Sequence, residues 1–150
     1  MKLTTTAFMP SGNIPNQYTM YGENQIPTLH VEDVPAGTQS LALIMDDPDA
    51  PKGTFTHWLV YNMDPKTTEF GDNDMPAGAA QGMNDYGQTR YGGPRPPSGE
   101  HRYYWKMFAL DSRLDLKNGA TRDELEAGIS GHVLASATLM GRFAHQLRPA

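Results

Sequence analysis

Residues 41–51 read Leu41-Ala42-Leu43-Ile44-Met45-Asp46-Asp47-Pro48-Asp49-Ala50-Pro51. Five consecutive apolar residues bounded by turn formers are too few for a helix and predict a buried strand. The acidic, proline-stiffened segment after them is a loop. It delivers the chain, six residues after Pro51, to His57-Trp58-Leu59-Val60-Tyr61-Asn62. Phe55–Asn62 is aromatic and β-branched, which predicts a second strand. Stiff loops that run into strands are places where sites are built, because their backbone entropy is already reduced before a ligand arrives.

The same arrangement recurs further on. Tyr91-Gly92-Gly93-Pro94-Arg95-Pro96-Pro97 is followed by His101-Arg102-Tyr103, and Arg102–Leu110 predicts a third strand. Side chains two apart share a face of a strand, so His101, Tyr103, Trp105 and Met107 point one way and Tyr104, Lys106 and Phe108 the other. Trp105 and Met107 then belong to the core. A single histidine at a strand start is more often a hydrogen-bonded structural residue than a ligand. Two at matching positions, each behind a stiff loop, point instead to a polar cavity shared by Asp47, His57, His101 and Tyr103. A neutral imidazole can donate to an anion from one nitrogen while a carboxylate holds the other. We expect at least one cis X-Pro bond among Pro48, Pro51, Pro94, Pro96 and Pro97, since tight loops use that isomer. Asp46, Asp47 and Asp49 are candidate metal ligands or turn caps. An EF-hand is excluded, because Pro51 and His57 stand where its Gly and Glu are required. His30, His132 and His145 are read as surface or capping residues.

The remainder of the chain supports a β-rich domain. Residues 1–30 are polar and turn-rich, and 64–90 form a long irregular excursion of the functional or mobile kind. Thr121-Arg122-Asp123-Glu124 is a capping box ahead of Leu125 and Ile129, which predicts a short helix. Residues 132–147 are ambiguous: their Ala, Leu and Met favour a helix, while the alternation of Val133, Ala135, Ala137, Leu139, Gly141 and Phe143 narrowly favours a strand over about 134–143. Strands dominate, so the fold class is all-β, an antiparallel sandwich of one domain spanning residues 1–150.

A net charge of −5 argues against nucleic acid as a partner. No apolar run is long enough to span a bilayer, and no signal-peptide pattern opens the chain. Without cysteine there is no thiolate metal site or cysteine nucleophile, and the composition fits a reducing, cytoplasmic compartment. Neither Gly-x-Ser-x-Gly, a P-loop nor His-Glu-x-x-His occurs, which removes the commonest hydrolase and nucleotide-binding readings.

At these residues the chain resembles the phosphatidylethanolamine-binding protein (PEBP) family, and most of all its bacterial branch, the Raf kinase inhibitor-like proteins. One signature is Asp47-Pro48-Asp49-Ala50-Pro51 with His57–Asn62. The other is Tyr91-x-Gly93-x-x-Pro96-Pro97-x-Gly99-x-His101-Arg102-Tyr103. Asn84-Asp85-Tyr86-Gly87 and Ala109-Leu110-Asp111 also match, and the likeness runs from about Phe8 to Phe143. The resemblance implies two packed antiparallel sheets with Greek-key connections, few peripheral helices, and an anion pocket at one end. It assigns ligand binding to Asp47, Asp49, His57, Pro97, His101 and Tyr103, with Asp49 bracing the loop. The implied ligand is a small anion: phosphate, a phosphorylated headgroup or a carboxylate. The implied role is regulatory or inhibitory, without catalysis, cofactor, metal or stable membrane insertion. Inhibition of a protease or kinase by protein docking is the alternative. A hydrolase with His57 or His101 as general base ranks below it. A second copy of the chain, as a homodimer, completes the partner classes.

Overall fold

Why residues 41–45 are uniformly apolar is answered by their neighbours on either side. The structure, a computed structural model, describes residues 1–146. Its strands are β1 (Lys2–Thr5), β2 (Leu29–Glu32), β3 (Ser40–Asp47), β4 (Phe55–Met63), β5 (Glu69–Phe70), β6 (Ala80–Gln81), β7 (Glu100–Leu110) and β8 (Val133–Ala144), with helix α1 (Arg122–Ile129). They form a three-stranded sheet in the order β1-β2-β5 and a five-stranded sheet in the order β6-β4-β3-β7-β8, antiparallel throughout. Strands β3, β4, β6 and β7 stand in the spatial order β7-β3-β4-β6, the Greek-key arrangement.

Every residue of β3 is buried. Leu41, Leu43 and Met45 face the smaller sheet and pack in one cluster with Trp58, Val60, Trp105 and Met107 of the large sheet and Leu3, Leu29, Val31 and Phe70 of the small one. Ala42 and Ile44 face the other way, with Leu59 and Tyr61, into a second cluster closed by Leu125 and Ile129 of α1. A strand covered on both faces has no polar side, which is why its sequence does not alternate. β7 is covered on one face and alternates as expected. α1 opens on the predicted capping box, in which the Thr121 hydroxyl accepts from the Glu124 amide and the Glu124 carboxylate accepts from the Thr121 amide.

Two short strands, β1 and β2, lie in the region whose composition suggested only turns. Each has four residues, too few for alternation to stand out among polar neighbours, although Leu3 and Val31 are buried and paired. The excursion at 64–90 contributes only the two-residue strands β5 and β6. The strand favoured over 134–143 is present as β8; Leu147, at the end of the ambiguous stretch, lies outside the described residues. The outer edge of β8 is closed near its end by the backbone of residues 11–14, with Ser11 N donating to Met140 O and Ile14 N to Arg142 O, both at 2.8 Å. Among the described residues no helix is long and apolar enough to cross a membrane.

Asp46 ends β3 on its helix side. Its Oδ2 accepts from Lys106 Nζ at 3.0 Å and Arg122 Nη2 at 2.9 Å, while Arg122 Nη1 donates to Thr56 Oγ1 at 3.0 Å. This buried charge ties α1 to the sheet. Arg122→Met should lower stability by about 2 kcal/mol, because it strips one partner from a buried carboxylate. Combining it with Asp46→Asn should cost less than the sum of the two single changes in denaturant unfolding. Additive losses would mean that the pair does not act as a unit.

Candidate functional site

His57 occupies an irregular step in β4. Met45 pairs with Trp58, but Asp46 pairs with Thr56, so His57 is an extra residue without a partner on β3. Strict alternation would turn His57 to the side of Leu59, beneath α1. The bulge turns it to the side of Tyr103, whose ring centroid lies 5.2 Å away at an interplanar angle of 78°. Its Nδ1 is 2.6 Å from the Gly92 carbonyl oxygen, and Gly92 N donates back to His57 O at 3.1 Å. A carbonyl only accepts, so Nδ1 carries the proton and Nε2 of the neutral ring carries a lone pair. With the residue 3 % exposed, burial pushes the imidazole pKa down. The Gly92 carbonyl and the charges of Asp47 and Asp46 oppose that shift without cancelling it.

Asp47 ends β3 on the opposite face from Asp46. Its Oδ2 accepts from His101 Nδ1 at 2.6 Å and its Oδ1 from the Asp49 amide at 2.8 Å. Both members of the Asp47–His101 pair are buried. Tyr103, next on that face of β7, has a buried hydroxyl with no hydrogen-bond partner among the described residues. Burial, and then the charge of Asp47, raises its pKa and keeps it a phenol.

These groups line one cavity of about 440 Å³, together with Pro97 and the loop Ala50–Phe55. Phe55 and Tyr86 flank His57, at centroid distances of 4.8 and 5.6 Å. The Tyr86 hydroxyl donates to Gly93 O at 3.0 Å, and burial pushes its pKa up to about 12. Lys52 and Arg95 add two exposed cations to the lining. Gly92 is needed for close approach: a Cβ there would fall 2.4 Å from a carbon of the Tyr86 ring.

Asp47, His57, Pro97, His101 and Tyr103 thus share the cavity, and Asp49 does not. Asp49 receives the Arg102 guanidinium through both oxygens, at 2.8 and 2.9 Å, and the Arg102 amide at 2.9 Å. It braces the loop against β7, the role the resemblance gave it, and takes no place in the cavity lining with the other five. The three acidic side chains diverge, to Arg122, His101 and Arg102, so they do not form a metal shell. The expected cis proline is also absent, since all X-Pro bonds among the described residues are trans. The second loop is held by hydrogen bonds instead: Met20 N to Pro94 O, Gly93 N to Asn24 Oδ1, and Tyr21 Oη to Pro96 O. His145, read as a surface residue, belongs to that bracing, with Nδ1 3.0 Å from both Tyr21 Oη and Pro96 O. His30 and His132 lie beside Glu69 and Asp111, away from the cavity. Phe55, Tyr86, Lys52 and Arg95 were not anticipated as lining residues. The Asn84-Asp85-Tyr86-Gly87 turn carried the signal for Tyr86, because the Asn84 side chain accepts from the Tyr86 and Gln88 amides and so fixes that turn.

Comparison with known proteins places this geometry among relatives. The family model described as phosphatidylethanolamine-binding protein matches residues 4–144. A protein named UPF0098 protein from Methanothermobacter thermautotrophicus is 45% identical over 148 residues, covering 95% of this chain and 98% of the relative. One of the same name from Aquifex aeolicus is 44% identical, covering 95% and 88%. The crystal structure of a PEBP homolog from Chlamydia trachomatis superposes with a TM-score of 0.91 at 37% identity, covering 97% of each chain. That of E. coli YbcL, described as a member of the mammalian PEBP family, gives 0.90 at 26% identity, covering 97% of this chain and 98% of that one.

Two outcomes follow from this bracing. The Arg102 hydrogen bonds lower the Asp49 pKa from 3.8 to about 2. A depressed carboxyl stabilises the fold above its unfolded pKa, and that stabilisation is lost as pH falls toward the folded value. Unfolding titrations should therefore show a loss between about pH 4 and about pH 2 that Asp49→Asn removes. Gly92→Ala should lower stability by about 1–3 kcal/mol by forcing the Tyr86 ring off His57, measured by thermal unfolding with near-ultraviolet circular dichroism as the local readout.

Proposed function

The chain belongs to the phosphatidylethanolamine-binding protein family, and on that premise we propose that its cavity binds a small oxyanion of the phosphate or carboxylate type, in a regulatory or inhibitory role. The observation that carries the reading is the pair of histidines on the cavity wall, His57 and His101, whose Nδ1 atoms are each tied down at 2.6 Å, which fixes both rings with Nε2 left for a ligand. Two features agree with it. Lys52 and Arg95 supply positive charge at the lining. The aromatic collar of Phe55, Tyr86 and Tyr103 excludes water on the His57 side, which strengthens polar contacts made there. Where the anion is a group carried by a protein, the same contact would regulate that protein.

Calorimetric titration with inorganic phosphate tests the reading. We expect saturable binding, weakened about tenfold by His101→Gln and unchanged by His132→Gln. His145 is unsuitable as the control because it braces the loop at Pro96. A phosphomonoester probe incubated with the protein should be recovered unhydrolysed. Equal phosphate affinity in the wild-type and His101→Gln proteins would remove the cavity as the site.

A further inference from the structure

We infer that the cavity selects an oxyanion that still carries a proton, such as hydrogen phosphate, over a fully deprotonated one of the same shape, such as sulfate, and that His57 Nε2 makes the choice. The inference deepens the anion-binding reading and rests on it. It starts from the Gly92 carbonyl, which lies 2.6 Å from His57 Nδ1 and takes the only proton of a neutral imidazole. Nε2 is then an acceptor. It makes no hydrogen bond to a described residue and is not among the buried unpartnered atoms, so it is reached from the cavity that His57 lines.

Turning Nε2 into a donor would require a charged ring. The position resists that, being 3 % exposed and flanked by the faces and edges of Phe55, Tyr86 and Tyr103. The lowered pKa agrees with this packing. Gly92 cannot withdraw to free Nδ1, because its own amide is bonded to His57 O and the Tyr86 ring blocks its other side. Asp47 stands across the cavity floor with each oxygen already receiving a hydrogen bond, so it adds negative charge and offers no donor.

A ligand here meets groups of two kinds. Lys52 and Arg95 can donate, and His101 Nε2, with its Nδ1 on Asp47, is the other ring nitrogen left to the ligand. His57 Nε2 can only accept. Sulfate has acceptors alone, so one of its oxygens would face the Nε2 lone pair, and both would lose water without gaining a bond. Hydrogen phosphate turns its P–O–H to Nε2 and its bare oxygens to the donors. Sites built to accept from a ligand hydroxyl reject analogues that lack it, by factors up to about 10⁴ when fully enclosed. This cavity is open on one side, and a factor of about ten to one hundred is the expectation here.

The test is calorimetric titration with two matched pairs of anions, phosphate against sulfate, and methylphosphonate monoanion against methanesulfonate. The second pair is run below the phosphonate's second ionisation, so that charge and shape are the same and only the proton differs. The expected result is at least about tenfold tighter binding of the proton-bearing member of each pair. His57→Asn retains an amide donor for Gly92 O and removes the Nε2 lone pair. It should bring the two members of each pair to within about threefold, mainly by weakening the phosphorus anions. Equal wild-type affinities within each pair would overturn the inference while leaving anion binding intact. So would a preference that survives in a folded His57→Asn protein. If no anion of either pair binds the wild-type protein, the anion-binding reading falls first and the inference with it. Should His57→Asn fail to fold, the charge-matched pair on the wild-type protein decides alone.

Discussion

Strand β3 has no side that faces water, and it ends in two consecutive carboxylates. Each of these must be satisfied from within the protein, because an unpaired buried charge costs several kcal/mol. Alternation sends them in opposite directions. Asp46 goes to the helix side and draws in Arg122 and Lys106; Asp47 goes to the sheet-facing side and draws in His101. One physical demand thereby fixes the docking of α1 and the floor of the cavity. Asp49, one turn further, repeats the solution at the surface with Arg102. The position of β7 is thus set twice, by its ladder with β3 and by two acid–base contacts at the end of that ladder.

Much of this could be read from the residues. The apolar run at 41–45, the aromatic strand from Phe55, the alternation from His101 to Met107 and the capping box at Thr121 each carry a periodicity or a turn chemistry that local physics interprets without tertiary context. The convergence of Asp47, His57, His101 and Tyr103 was legible because stiff loops deliver both histidines to strand starts. What was not legible depends on register. Nothing in Thr54-Phe55-Thr56-His57-Trp58 announces a bulge, yet without it His57 would lie under α1. The bulge is decided by the whole β3–β4 ladder, including the competing pull of Arg122 on Thr56.

The other differences have the same origin. Asp49 stood among the ligand-binding residues as the brace of its loop, but its partner, Arg102, comes from a distant strand and is not announced by the run of three acids. A loop with three prolines in residues 91–97 suggested a cis bond, but the contacts that fix it come from Met20, Tyr21 and Asn24, in a segment whose composition reads only as polar and turn-rich. β1 and β2 are specified by partners rather than by their own pattern.

The Greek-key order has a consequence for how the protein comes into being. β7 joins the second edge of β3 and β8 follows it from further along the chain, so β3 must hold that edge open while β4 and the following excursion are already in place. The residues that close the cavity floor, Asp47 and His101, are 54 apart in the chain. A nascent chain passes through a stage in which an apolar strand is paired on one side and bare on the other, the arrangement most prone to wrong pairing. During that stage there is no cavity, and so no ligand to help. Anything bound between Asp47 and Tyr103 can stabilise only the finished molecule, and it does so by slowing the release of β7 rather than by guiding its arrival.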